Sequence, residues 1–230
     1  MKYKKTKNGK CTNEKILIYG INQQAQQLCR LIEFEKSARV CGFVVDEGFK
    51  KTEYLLGKKI YEFNEMLEKF SPKKYQILLS FGYKNMVNNR REKFEKCKQY
   101  GYRLYTYINK HAIVYTEEIG EGSIIYPNVF LAPFSYIGKG CFLENNVSIA
   151  HHSKCGDFCF FAPRAMVCGD TTIEEHCFIG ANATIVNSII LRRRTLVTAG
   201  ATVVKSTEEG TICWNPKNHF DFSSSPEEYI

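Results

Sequence analysis

The feature that most constrains the fold of this chain is a six-residue period that runs from residue 113 to residue 203. Sixteen successive positions in this register are all apolar: Ile113, Ile119, Ile125, Leu131, Ile137, Leu143, Ile149, Cys155, Phe161, Val167, Ile173, Ile179, Ile185, Leu191, Val197 and Val203. Small residues recur four places later: Ser123, Ser135, Cys141, Ser153, Cys159, Ala165, Thr171, Cys177, Ala183, Thr195 and Ala201. This pattern predicts an all-β parallel β-helix built from hexapeptides.

Stacking of coils explains why the period is so regular. Three hexapeptides make one coil of 18 residues, and successive coils lie about 4.8 Å apart, the usual spacing of strands. Each apolar residue therefore packs on the one 18 positions earlier. Because nothing interrupts the register, we expect just over five coils and no long loop between residues 113 and 208.

The first half of the chain has a different pattern, in which short apolar runs alternate with helical segments. Strands are predicted at "KILIYG" (15–20), "RVCGFVVD" (39–46) and "YQILLSFG" (75–82). Helices are predicted after the first strand, at 61–70 and at 84–100. Such alternation favours an α/β domain with a small parallel, Rossmann-like sheet.

Ligands of such sheets bind beyond the carboxyl ends of the strands. That rule selects Gly20, Ile21, Asn22, Asp46, Ser80, Gly82 and Tyr83 as the candidate nucleotide-sugar site. The turn "YGINQQAQ" has one glycine where a dinucleotide fingerprint has three. An equally good interpretation is a structural turn in which Asn22 caps the following helix.

Composition narrows the partners and the compartment. The net charge of +8 favours anionic partners such as nucleotides, coenzyme A or nucleic acid, and charge alone does not choose among them. The chain shows neither a signal peptide nor an apolar run that spans a bilayer, so we expect a cytoplasmic protein whose ten cysteines are reduced. The predicted organisation is a basic tail (1–14), a Rossmann-like nucleotide-sugar-binding domain (15–110), a β-helix (111–208) and a C-terminal tail (209–230).

Two adjacent histidines lie within the repeats, in "VSIAHHSKCGDF" (147–158). His151 and His152 are the third and fourth residues of the hexapeptide that starts at Ile149. Adjacent strand residues point to opposite faces, so both histidines cannot belong to the core, and we expect one of them to project from the coil into a cleft or a subunit boundary.

The repeats, together with "YGINQQ", "GFVVDE", "SIAHHSKCGDF" and "VVKSTEEGTICWNPKNHF", resemble the left-handed β-helix acyltransferases. The chain is most similar to their subgroup with an N-terminal Rossmann-like domain, which acetylates nucleotide-linked amino sugars or sialic acid. In that family a histidine before the "Gly-Asp-Phe" segment is the general base, commonly followed by an acidic residue. Aligned on "CGDF", the base is His151, and His152 takes the acidic neighbour's place as an orienting residue or substrate contact. The family forms sites between the β-helices of a homotrimer, so the resemblance implies a homotrimer.

The position one coil beyond His151 is Gly169. Its backbone N–H could stabilise the tetrahedral oxyanion, and its missing side chain could admit the thioester. The alternative is a plain corner of the β-helix. Coenzyme A contacts are predicted at Gly169, Asn187, Arg193 and Lys205, although Arg193 in "LRRRT" also fits a solvated charge run.

No metal site is predicted. Some left-handed β-helix proteins are carbonic anhydrases that need a histidine two coils from the first, and that position is Asn187 here. His176 falls at a different angular position.

The resemblance implies acetyl transfer from acetyl-CoA to the amine of a UDP- or dTDP-linked amino-deoxy sugar, of the 4-amino-4,6-dideoxyhexose type, for surface glycan synthesis. An O-acetyltransferase acting on sialic acid or another sugar hydroxyl shares every motif. A non-catalytic β-helix used for assembly is the third alternative. None of these predicts a nucleic-acid or membrane partner.

Overall fold

A computed structural model describes residues 14–83 and 88–215. They form two compact units, one of residues 14–82 and 92–106 and one of residues 83, 88–91 and 107–215. The basic tail, all but its last residue, and the C-terminal segment from residue 216 lie outside the described residues.

The first unit is an α/β layer structure. Its elements are β1 (Lys15–Tyr19), α1 (Gln23–Glu35), β2 (Arg39–Val45), β3 (Tyr54–Leu55), β4 (Lys58–Glu62), α2 (Phe63–Lys69), β5 (Tyr75–Leu79), α3 (Asn88–Gln99, whose first four residues belong to the second unit) and β6 (Arg103–Leu104). The sheet order is β3-β4-β2-β1-β5-β6, parallel except for the β3–β4 pair. The predicted Rossmann-like sheet is confirmed.

The sequence pattern missed one edge of this sheet. The helix predicted at 61–70 is shorter, and Lys58–Glu62 instead forms β4 beside β2. Only Ile60 of this strand is buried, as expected for a strand near the edge of the sheet. The mixed polar sequence "KKIYE" therefore carries too weak an apolar pattern to indicate a strand.

The second unit is a parallel β-helix of two-residue strands. The strands are β7 (Tyr107–Ile108), β8 (Ile113–Val114), β9 (Ile124–Ile125), β10 (Phe130–Leu131), β11 (Tyr136–Ile137), β12 (Phe142–Leu143), β13 (Ser148–Ile149), β14 (Lys154–Cys155), β15 (Phe160–Phe161), β16 (Met166–Val167), β17 (Thr172–Ile173), β18 (Phe178–Ile179), β19 (Thr184–Ile185), β20 (Ile190–Leu191), β21 (Leu196–Val197), β22 (Thr202–Val203) and β23 (Ile212–Cys213). They form three flat faces with the orders β22-β19-β16-β13-β10-β8, β11-β14-β17-β20 and β23-β21-β18-β15-β12-β9-β7.

The predicted register holds over most of this length. Every position of the six-residue register from Ile125 to Val203 is buried, and Ile149, Val167 and Ile185 stack as partners 18 residues apart. The small corner residues are buried as well, and several donate to a carbonyl of the next coil, as Ser153 Oγ does to Cys168 O at 2.8 Å. Small side chains fit this corner, and those with a hydroxyl or thiol also satisfy buried backbone oxygens.

The prediction is wrong at the first coil. Ile113 is 50% exposed, and Val114 is paired with Leu131 instead, at a spacing of 17 residues. The strand β7 likewise pairs with β9 at a spacing of 17, so the β-helix already begins at Tyr107. The inward residue has an apolar neighbour on each side. Inspection of the sequence alone therefore does not reveal that the register shifts by one residue here.

The residues before the β-helix contribute one buried cation to it. Arg90 is fully buried, and its guanidinium donates to the carbonyls of Gly140 at 2.7 Å and Gly122 at 2.8 Å. It also lies over the ring of Phe142, 5.4 Å from the centroid. Burial lowers the pKa of Arg90 to about 10, and the two carbonyls compensate the charge for the lost solvation.

Candidate active site

His151 and His152 lie in the turn between β13 and β14, not in a strand. The expectation that the two side chains point to opposite faces is therefore wrong, because strand alternation ends at the turn. Both side chains are exposed, and His152 has a left-handed backbone conformation with φ of 60°. The turn directs both imidazoles away from the apolar interior of the coil.

The two imidazoles are arranged as a hydrogen-bonded pair. Their Nδ1 atoms are 3.1 Å apart, and the ring planes are inclined by 80°. The ring of His152 also stacks on Phe134 of the preceding coil, with centroids 4.8 Å apart. One Nδ1 of the pair must carry the proton and the other must accept it. When His151 is the donor, its Nε2 has a lone pair and can accept a proton from a substrate.

Gly169 lies directly beneath the imidazole of His151. A Cβ atom built on Gly169 would be 2.6 Å from Cε1 and 2.9 Å from Nε2 of His151, so a side chain cannot be accommodated without displacing the ring. The space that we expected to admit the thioester is thus filled by the imidazole. The N–H of Gly169 makes no hydrogen bond with another residue in the described part of the chain. Pro133, two coils earlier in this column, shows that the turn does not require an N–H here.

A carboxylate that sequence reasoning missed completes this group. Asp170 lies one coil from His152, and its N–H donates to the carbonyl of His151 at 3.1 Å. The ligand atoms of His151, His152 and Asp170 all lie within 4.8 Å of one another. The signal was present in the sequence, because 152 plus one 18-residue coil gives position 170.

The coenzyme A candidates fall into two places. Asn187 continues the corner column of His151 and Gly169 at 18-residue spacing, and its side chain is exposed. Lys205 is also exposed and lies two residues after Val203, where the pairing of coils at 18-residue spacing ends. Arg193 lies at the next corner, where its Nε is 2.7 Å from Glu209 Oε1. The structure therefore aligns Gly169 with Asn187, and it places Arg193 in an exposed ion pair at another corner.

In the first unit, Gly20, Asn22 and Ser80 meet at the strand ends. A Cβ on Gly20 would be 2.2 Å from Ser80 Oγ, so only glycine allows this approach. The side chain of Asn22 accepts from the N–H of Ala25 at 2.8 Å and donates to Ser80 O at 3.1 Å. The interpretation of Asn22 as the cap of α1 is confirmed.

The remaining members of that candidate set differ in their surroundings. Gly82 faces Gln24, whose Oε1 would be 2.7 Å from a Cβ on Gly82, and Ile21 is half-buried. Tyr83 belongs to the second unit, where its ring packs edge-on against Phe160 and Phe178 with centroid distances of 5.1 and 5.3 Å. The other candidates of this set belong to the first unit.

Asp46 is held by partners that the sequence did not indicate. Its carboxylate accepts from the hydroxyl of Tyr19 and from Lys93 Nζ at 2.8 Å, and Lys96 Nζ is 3.6 Å away. Partial burial would raise the pKa of Asp46, but the hydrogen bonds from Lys93 and Tyr19 and the nearby charges outweigh it and lower the pKa. Burial and Asp46 together raise the pKa of Tyr19. A ligand that contacts Asp46 therefore meets a carboxylate already paired with two cations.

Two family models of hexapeptide repeats match part of the β-helix. The family "Bacterial transferase hexapeptide (six repeats)" matches residues 152–187, and "Hexapeptide repeat of succinyl-transferase" matches residues 170–205. No curated protein sequence matches the chain significantly. Among solved structures, the acetyltransferase domain of PglB from Neisseria gonorrhoeae FA1090 is similar, with 21% identity, a TM-score of 0.75 and coverage of 87% of this chain and 96% of that one.

WeeI from Acinetobacter baumannii AYE shows 24% identity and a TM-score of 0.77, covering 89% of this chain and 98% of its own. PerB from Caulobacter crescentus, solved with CoA and GDP-perosamine, shows 19% identity, a TM-score of 0.74 and coverage of 86% and 92%. The chain has the fold of the acyltransferase subgroup that its sequence resembles. Because both units are covered, the match includes the N-terminal α/β domain as well as the β-helix of this acyltransferase fold.

The acyltransferase fold fixes the hand of the β-helix. General rules of chain connection favour right-handed crossovers between parallel strands. The β-helix of this chain is left-handed, as the resemblance implied. Among the described helices, none is both long and apolar enough to cross a membrane.

Proposed function

We propose that this protein is an acetyl-CoA-dependent N-acetyltransferase that acts on the amino group of a nucleotide-linked amino-deoxy sugar. The observation that carries the proposal is the position of His151, whose exposed imidazole lies over Gly169 and is oriented by His152. The similar perosamine N-acetyltransferase was solved with CoA and a GDP-linked amino sugar, which supports this class of substrate.

In the proposed reaction the sugar amine enters in its neutral form, because a protonated amine has no lone pair for attack. Its nitrogen attacks the thioester carbon, and Nε2 of His151 takes the proton that this nitrogen loses. The N–H of Gly169 stabilises the oxyanion of the tetrahedral intermediate. Its collapse breaks the C–S bond, forms the amide and releases coenzyme A, whose sulfur takes up the proton that His151 carried.

The two substrates are assigned to different parts of the chain. Coenzyme A is proposed to follow the column of Gly169 and Asn187 toward Lys205, where its phosphates meet the exposed ammonium group. The nucleotide is proposed to bind at the strand ends of the first unit, near Gly20, Asn22 and the Asp46–Lys93 pair. The homotrimer and the cytoplasmic location remain predictions, and light scattering measures the first directly.

The decisive experiment is acetyl-CoA turnover against a panel of UDP-, dTDP- and GDP-linked amino sugars, with free sialic acid as the comparison. We expect turnover with an amino sugar carrying a free amine and none after that amine is blocked. Turnover with sialic acid alone would favour the O-acetyltransferase alternative. Absence of turnover with every acceptor, in a folded protein that binds no coenzyme A, would favour the non-catalytic alternative.

A further inference from the structure

The His151–His152–Asp170 group has the composition and the geometry of a metal-binding site. It offers two imidazole nitrogens and one carboxylate oxygen, and the three ligand atoms lie within 4.8 Å of one another. We propose that these three side chains bind a divalent transition ion of the zinc class, and that the bound ion switches off His151 as a base. The ion is an inhibitor in this proposal and takes no part in acetyl transfer.

The histidine pair supplies most of the required geometry. Two nitrogens that bind a tetrahedral zinc ion at ~2.0–2.1 Å are about 3.4 Å apart. The Nδ1 atoms of His151 and His152 are already 3.1 Å apart. A small separation of the rings therefore opens a position for the ion between them.

The surrounding contacts hold these ligands in place before any ion binds. The ring of His152 stacks on Phe134, and the ring of His151 lies against Gly169. The backbone hydrogen bond from Asp170 to His151 ties the carboxylate-bearing coil to the histidine turn. All three side chains are exposed, so Asp170 can rotate toward an ion without breaking a packed interior.

The chemistry of the three ligand side chains determines which class of ion they bind best. Imidazole nitrogens with one carboxylate suit zinc and similar first-row ions, whereas magnesium and calcium prefer oxygen ligands. Three protein ligands also leave one coordination position open on a four-coordinate ion.

The bound ion would inhibit acetyl transfer because the imidazole of His151 has two nitrogens, of which the ion takes one and the ring proton the other. In the ion-free pair, His151 can donate through Nδ1 and keep a lone pair on Nε2. An ion bound at Nδ1 of a neutral imidazole leaves the proton on Nε2. His151 then has no nitrogen available to accept a proton from the amine. This consequence rests on the proposed function, whereas metal binding itself does not.

Binding is tested on the full-length protein by calorimetric titration with Zn²⁺ and by visible absorption with Co²⁺. We expect one site per chain in the wild type and no comparable binding of Mg²⁺. Asp170→Asn and His152→Asn should each weaken Zn²⁺ binding by about 10-fold or more, since even outer-shell changes have effects of that size.

The matched control is His111→Asn, which removes an exposed histidine outside the group and should leave affinity unchanged. Equal affinity in the wild type and Asp170→Asn, or intense sulfur-to-cobalt charge-transfer absorption, would overturn the proposal.

A second measurement separates this proposal from the proposed function. Initial rates of acetyl transfer are measured with and without Zn²⁺, and each variant is normalised to its own metal-free rate. We expect inhibition of the wild type that a chelator reverses, and much weaker inhibition of Asp170→Asn. Zn²⁺ bound at the three residues with acetyl transfer unaffected would leave the metal site standing and remove His151 as the base. No Zn²⁺ binding together with an inactive His151→Asn variant would overturn the metal site and leave the proposed function standing.

Discussion

The β-helix and the α/β unit of this protein place their functional residues in opposite ways. In the β-helix a fixed 18-residue translation brings His151 over Gly169 and His152 beside Asp170. In the α/β unit Asp46 meets Lys93, 47 residues away, through strand and helix packing that no period describes. In a translational repeat, spatial neighbours follow from residue numbers, whereas in an α/β sheet they do not.

The largest effect should come from a substitution that disrupts the stacking of the coils. Val167→Asp places an unpaired carboxylate at a fully buried position between Ile149 and Ile185. We expect a loss of several kcal/mol in the free energy of unfolding and loss of assembly. Circular dichroism melts and size-exclusion chromatography measure both.

The matched control is Lys154→Asp, at an exposed strand position of the neighbouring face. It should be nearly neutral for stability. Similar melting temperatures for the two variants would mean that the six-residue register, and the site built on it, is misplaced.

The next largest effect should come from substitutions at His151 and Gly169, which lie together because they are one 18-residue coil apart. His151→Ala or His151→Asn should lower kcat by about 100-fold or more, the usual effect of losing a general base. Gly169→Ala should lower kcat as well, because its Cβ would be 2.6 Å from the imidazole and would displace it. His152→Ala should have a smaller effect. Steady-state kinetics on variants with unchanged melting curves provide the test, and near-full turnover by His151→Ala would exclude it as the base.

A moderate effect on the KM for acetyl-CoA should show which corner of the β-helix binds coenzyme A, the one with Lys205 or the one with Arg193. Lys205→Ala should raise KM for acetyl-CoA by about fivefold, as expected for one exposed charge contact worth about 1 kcal/mol. Arg193→Ala should change it little, because Arg193 is paired with Glu209 at another corner. The reverse ranking of the two KM values would show that coenzyme A follows the arginine corner instead.

The smallest effect concerns the α/β unit and its pH dependence. Asp46 has a lowered pKa in the folded protein, so its ion pairs contribute stability above the pKa of the unfolded chain. That contribution is lost as the pH falls through the lowered folded pKa. The difference in melting temperature between the wild type and Asp46→Asn should therefore be largest near pH 7 and shrink toward pH 3. A difference that stays constant over this range would contradict the ion-pair assignment.

Three features could be predicted from the amino-acid sequence alone: the register of the β-helix from Ile125 to Val203, the parallel sheet, and the position of Gly169 relative to His151. These follow from repeating local patterns and a constant translation, which a residue count captures. Three other features became visible only in the folded chain: His151 and His152 share a turn and pair through Nδ1, β4 extends the sheet beside β2, and Lys93 and Tyr19 hold Asp46. Each of these depends on turn conformation or on packing between distant segments, and neither leaves a periodic signal in the sequence.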